Sequence, residues 1–223
     1  MSATDDPERA LALSYAPVGM RGAMEALLAL DATLGGILRT TREPMVGQMR
    51  LTWWHEALSA LDTAPPPAQP VLQALSADVV ARGISGTVLA GMIDGWEMLL
   101  EPEPLDRDML ESYAKHRGGK LFLIAGALLG AAPRDPLERA GEGWALADLA
   151  RHSRDPVAAS RTRDLAMTVL SDAMQHRWSR NARSLGAMAL SARFDLAGAG
   201  VSSAPVTSPA RIARLAWHRL SGR

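Results

Sequence analysis

The chain has 223 residues, and its 24 basic side chains balance 24 acidic ones. A neutral chain exerts no global electrostatic pull on nucleic acid. Without cysteine it forms no disulfide, thiolate metal site or cysteine nucleophile.

A length of this order makes one large domain or two small ones, burying roughly 70% of the unfolded surface. The N-terminus, MSATDDPERALAL, is acidic and lacks the basic-then-apolar order of a secretion signal. No apolar run reaches the ~20 residues of a membrane-spanning helix, so a cytoplasmic protein is the expectation. Alanine, leucine, methionine and arginine dominate, and apolar residues recur at spacings of three and four. That pattern predicts an all-α fold.

After Pro17, apolar positions through Met20, Met24, Leu27, Leu28, Leu34 and Leu38 predict one long helix. Inside it, LGGILR places Gly35 and Gly36 side by side. Each interior glycine costs about 1 kcal/mol against alanine, so the pair marks either a close helix approach or access to a cavity. Glu43-Pro44 opens the next helix, because proline suits a first turn and disfavours a helical residue before it. That helix runs to about Leu61, and TAPPPAQP ends it.

The second helix has two apolar tracks, Met45/Met49/Trp53 and Leu51/Trp54/Leu58/Leu61. Together they cover more than half its circumference, which suits neighbours on two sides. Arg50 lies between them and points to a groove or a carboxylate; core packing with a snorkelling arginine is the plainer alternative.

Further helices are predicted over 71–82, 85–100, 105–129, 136–152 and 160–190. YAKHRGGK, residues 113–120, lacks the glycine spacing and preceding strand of a phosphate loop and reads as a helical turn with a thin, glycine-lined side. DLARHSRD, residues 148–155, puts Asp148, His152 and Asp155 at i, i+4 and i+7. Such a trio suits a divalent metal, yet Arg151 and Arg154 beside it suit ordinary helical ion pairs. FDLAGAGVSSAPVTSP has linker composition, with the linker at 196–208. Residues 209–223 form a short basic amphipathic helix, to dock on the domain, a membrane or a partner.

The segment EPMVGQMRLTWWHEAL, with LSYAPVGMRGAMEALLAL before it and YAKHRGGKLFLIAGALLG and GEGWALADLARHSRD after it, resembles the squalene and phytoene synthases. The resemblance covers roughly residues 9–155. It implies an isoprenoid-synthase helical bundle around a central cavity, here shortened on its C-terminal side, with residues 1–195 as the domain. Members of that family condense two isoprenoid diphosphates head to head. Two aspartate-rich segments hold magnesium there, since Mg²⁺ needs hard oxygen ligands.

At the first such place this chain has Gly35, Gly36 and Arg39. At the second it has Asp148, Arg151 and His152, with histidine where the family has aspartate. The departures resemble the family's noncatalytic branch, which includes an assembly factor for respiratory complex I. They imply no metal and no catalytic residue, and a prenyl or lipid-like ligand, or a partner segment of a membrane complex, in a groove around Arg50, Trp54, Tyr113 and Arg151. The alternative is an active prenyltransferase that uses magnesium on a displaced acidic set drawn from Asp31, Asp148 and Asp155. A nucleic-acid role for the arginine-rich tail is disfavoured by the neutral charge.

Overall fold

The computed structural model describes residue 10 and residues 13–100, 105–198 and 208–223. Among them there are helices and turns but no strand. Helix α1 spans Arg21–Thr40 and α2 spans Pro44–Ala60, with Pro44 in the first turn as its sequence demands. Short helices α3 (Pro70–Asp78), α4 (Gly86–Ala90) and α5 (Ile93–Glu97) follow. The expected 85–100 helix is thus two pieces, broken at Gly91-Met92. The Lys120 ammonium, bonded to the Gly91 carbonyl at 2.6 Å, holds that break in place.

Helix α6, Arg107–Ala114, runs through one π-helical turn, Lys115–Gly119, into α7, Lys120–Leu129. Helix α8, Leu137–His152, lies between α9 (Pro156–Ala173), α10 (Arg183–Gly198), α7 and the π turn. Its inward residues are small, with Ala140, Gly141, Gly143, Ala145, Ala147 and Ala150 all buried. Small side chains on several faces let helices approach from several directions. That is why the core is centred here.

The sequence pattern carried one helix across 160–190, and the structure divides it. Residues 174–179 leave the helix because Trp178 is drawn into the core, 1% exposed. Its backbone N–H donates to the Gly222 carbonyl at 2.8 Å, and the buried Asp135 carboxylate accepts from the Ser179 N–H at 2.7 Å. Long-range hydrogen bonds of this kind leave no trace in local periodicity. At the other end of this unit, α10 continues to Gly198, three residues into the expected linker. Most of that linker, 199–207, lies outside the described residues.

The two tryptophans of α2 part company. Leu51, Trp54 and Leu58 are buried, each such burial contributing about 2 kcal/mol. Met45, Met49 and Trp53 are exposed instead of buried as a second core track. Successive helical residues point about 100° apart, and α2 has its close neighbours, α4, α1 and α5, on one side only. Trp53 meets Trp54 edge to face at 5.5 Å.

The last helix, α11 (Pro209–Ser221), docks on α10 by its inner side. Leu215 and His218 are buried, Arg211 pairs with Asp195 at 2.7 Å, and Gly222 closes the helix at φ +76° against Trp178. Neither ring nitrogen of His218 makes a hydrogen bond of normal geometry. Burial pushes its pKa down to about 4; nearby backbone of Arg223 and Arg183 offsets part of this, while Arg183 and Arg214 add to it.

Below pH 6.5 the unfolded state therefore binds a proton that the folded state refuses. The stability held by neutral His218 is complete above pH 6.5 and is lost as pH falls through about 4, in all about 3 kcal/mol. Urea melts between pH 7 and pH 4 should show that loss in the wild type and a shallower slope in His218→Leu. Equal slopes would mean that His218 is solvated.

Candidate functional site

The centre of the bundle holds a charge. Asp31 sits on the inward face of α1 between the buried Leu27 and Leu34, one turn away on either side. Arg117 enters from the π turn, and Asp148 from α8. The Arg117 guanidinium donates to both Asp31 oxygens at 2.9 Å through Nε and Nη2. Its Nη1 reaches the Tyr113 hydroxyl at 2.5 Å and Asp148 Oδ2 at 2.8 Å. The guanidinium carbon Cζ lies 4.0 Å from the Trp96 ring centre and 5.1 Å from that of Trp144.

Arg117, Asp31 and Tyr113 are 3%, 4% and 0% exposed, so this network lies out of water. An unpaired guanidinium there would cost far more than folding can supply. Bidentate pairing with one carboxylate and contact with a second remove that penalty.

Local sequence explains how the arginine gets there. Tyr113 and Arg117 are four residues apart and share a helical face. The π turn inserts one extra residue per turn and re-aims the side chain, a common device at functional positions. The turn can lie against α8 only because both backbones are bare. A Cβ on Gly118 would fall 1.9 Å from the Gly141 carbonyl oxygen, and one on Gly141 2.1 Å from that of Gly118. Gly35 serves the same end on α1, where a Cβ would fall 2.8 Å from the Trp96 ring. Gly36 has no such neighbour, so of the LGG pair one glycine is a close approach and the other is not.

The electrostatics follow from the burial. Desolvation opposes the charge on Arg117, but Asp31, Tyr113 and Asp148 override it and hold its pKa well above the usual value. Burial would raise the Asp148 carboxyl; Arg117 first, then His152, hold it well below the ordinary carboxylate range. Desolvation pushes the Tyr113 phenol up to about 12. His152 is raised by its bond to Asp148, whose Oδ1 lies 3.3 Å from Nδ1.

The four residues expected around one groove do not converge. Trp54 is core, 6% exposed. Arg50 lies on the exposed side of α2, bonded to the Thr40 and Thr41 hydroxyls at 3.3 and 3.0 Å. Tyr113 is inside the network, and Arg151 stands at its outer edge, 3.2 Å from Asp148 and 3.7 Å from Asp195. Tyr113 and Arg151 thus belong to one chain of contacts, from which Arg50 and Trp54 are absent. Arg117 is not among the residues that the sequence pattern singles out. Its signal was the Tyr-x-x-x-Arg spacing directly before two glycines.

The residues present do not fit the magnesium that the resemblance implies. Asp31 and Asp148, the two carboxylates that face each other, are both engaged by Arg117. Asp155 does not join them, because α8 ends at His152 and Asp155 caps α9 through the Val157 N–H at 2.9 Å. Among the described residues no three Asp, Glu or His side chains gather as a ligand set. The Trp96 indole N–H, buried beside the guanidinium without a partner, is a donor and suits an acceptor rather than a cation.

Comparison with known proteins bears on the same scaffold. The squalene/phytoene synthase family model matches residues 3–193. No curated protein matches the chain. Among solved structures, a dehydrosqualene synthase crystallised in complex with ligand is similar in fold, with a TM-score of 0.73 at 15% identity. The likeness spans 97% of this chain and 92% of that one, which leaves little of either unmatched.

Proposed function

The chain belongs to the squalene/phytoene synthase family, and from that premise we propose that it is a noncatalytic member. It acts as a binding or assembly factor for a prenyl or lipid-like ligand, or for a protein of a membrane-associated complex, at the cytoplasmic face of a membrane. Residues 209–223 supply its peripheral contact; no described helix is long and apolar enough to cross a bilayer.

One observation carries this reading. The Asp31–Arg117–Asp148 network places a fixed cation where facing carboxylates would otherwise gather metal. All three Arg117 nitrogens already face oxygen atoms of Asp31, Tyr113 and Asp148. The guanidinium therefore has little left with which to grip a diphosphate, and the carboxylates have little left for magnesium. An ion pair of this kind also holds three helical segments in one register, which is what a scaffold needs.

The test is magnesium-dependent diphosphate release from farnesyl and geranylgeranyl diphosphate, with products followed by mass spectrometry. The expected result is release no faster than in the absence of protein. Release well above that background, and lost when Asp31 and Asp148 are both replaced by asparagine, would sink the noncatalytic reading and restore the displaced acidic set.

A further inference from the structure

We propose that the corner formed by α10 and α11 is a docking surface for an anionic phospholipid bilayer, and that the groove between the two helices accepts a phosphate headgroup and the start of one acyl chain. This rests on the reading of the protein as one that works at a membrane, and it names what the surface recognises there.

Two separate features meet at this corner. The first is the outer side of α11. Its inner side is fully accounted for by Leu215, His218 and Gly222 packed on the bundle. The opposite side should then be polar, as on an ordinary surface helix. It is apolar instead. Ala213 and Ala216 are exposed, Trp217 is 56% exposed and Leu220 74%, and Ile212 adds to one flank at 47%.

Arginines border this stripe. Arg214 lies on one flank, with Arg219 and Arg223 on the other, and α11 contains no acidic residue. Arg177 and Arg183 add positive charge at its C-terminal end, where they bond to the carbonyls of Ser221 and Arg219. A helix with an outward apolar face, an indole and basic borders matches the requirements of the bilayer interface. A flexible peptide of this length would bind only marginally. Here the bundle already holds the helix folded, so no ordering cost falls on the binding step.

The second feature is a cavity of about 560 Å³ beside that stripe, between α10 and α11. It is lined by the apolar Leu190, Phe194, Ala197 and Ala210 together with Arg193, Arg211 and Arg214. Arg211 is engaged by Asp195 and stacks over Phe194 at 5.4 Å. Arg193 and Arg214 line the same cavity. Apolar side chains and guanidiniums lining one groove suit a phosphate monoanion attached to a hydrocarbon chain. Trp217, one turn beyond Arg214 on the same flank of α11, joins the groove to the outer stripe.

Charge complementarity decides the occupant. A protein partner of equal area would need its own acidic, apolar-centred face, whereas an anionic bilayer offers both at every point. Each arginine near such a surface contributes about fivefold in affinity, so two contribute more than tenfold.

The experiment is sedimentation of the full chain with phosphatidylcholine vesicles and with vesicles of phosphatidylcholine and phosphatidylglycerol in a 3:1 ratio, at low and high salt. Three variants change only side chains at the proposed surface: Trp217→Ser/Leu220→Ser, Arg193→Gln/Arg214→Gln, and Ala197→Glu. The wild type should bind the anionic vesicles at least tenfold better than the neutral ones, less so at high salt. The Trp217/Leu220 variant should lose about tenfold on both. The arginine variant and Ala197→Glu should lose the preference for anionic vesicles while keeping the wild-type melting profile. Equal binding to the two vesicle types, or variants that bind as the wild type does, would overturn the proposal and leave the face to a protein. Diphosphate release plays no part in this readout, so turnover would sink the noncatalytic reading and leave the vesicle result standing.

Discussion

Replacing Arg117 with methionine is expected to lower the unfolding free energy by about 3–5 kcal/mol, the usual cost of removing one partner from a buried ion pair. The side chain removed is of similar length, so the loss is electrostatic more than steric. Asp31 would be left 4% exposed without its bidentate partner, and Asp148 would keep only Arg151 and His152 at its outer edge. In a protein of this size each kcal/mol shifts the melting temperature by about 2–4 °C, so a fall of roughly 10 °C should be read by circular dichroism. Adding Asp31→Leu to Arg117→Met should recover part of that loss, since apolar replacement of the whole pair is often neutral. A loss below about 1 kcal/mol for Arg117→Met would mean that water reaches the network and that the centre of the bundle is open.

Most of the helical architecture was legible because it rests on local chemistry. Proline at the start of α2, apolar residues at three and four in α1, and the basic amphipathic pattern of α11 each act over one or two turns. What periodicity could not supply was the side on which a neighbour lies. Met45, Met49 and Trp53 read as core because they are apolar and evenly spaced. They are exposed because the chain places α4, α1 and α5 against the other side of α2. The breaks at Gly91 and at residues 174–179 were illegible for a related reason. Each is fixed by a hydrogen bond from far along the chain, Lys120 in one case and Asp135 and Gly222 in the other.

The site was legible in its parts. Tyr113, Arg151, Asp31 and Asp148 all drew notice from the sequence, but as members of different hypotheses. Arg117, the residue that joins most of them, looked like one more arginine in a basic turn. Sequence spacing relates residues on one helix; it says nothing of which residue on another helix completes a charge. The two carboxylates are 117 positions apart, and only the fold shows that they share a cation.

Gly141→Ala decides how far that shared cation depends on backbone contact. On helix propensity alone the change in the interior of α8 would stabilise by about 1 kcal/mol. The added Cβ would lie 2.1 Å from the Gly118 carbonyl oxygen and 2.6 Å from its carbon, and backbone cannot rotate aside as a side chain does. The π turn must retreat from α8, at a cost of overpacking that runs to about 3 kcal/mol or more, and the net effect is a loss. Gly36→Ala is the internal comparison: there the nearest atom is an arginine terminus at 3.9 Å, and the expected change is a gain of up to about 1 kcal/mol. The retreat also draws Arg117 away from Asp148, now 2.8 Å apart. Part of the damage done by Gly141→Ala is then damage that Arg117→Met has already done. The double variant should lose less than the two single losses combined, by 1 kcal/mol or so in a thermal or urea cycle. Strict additivity would show the glycine contact and the ion network to be independent, and the π turn would then need another reason to exist.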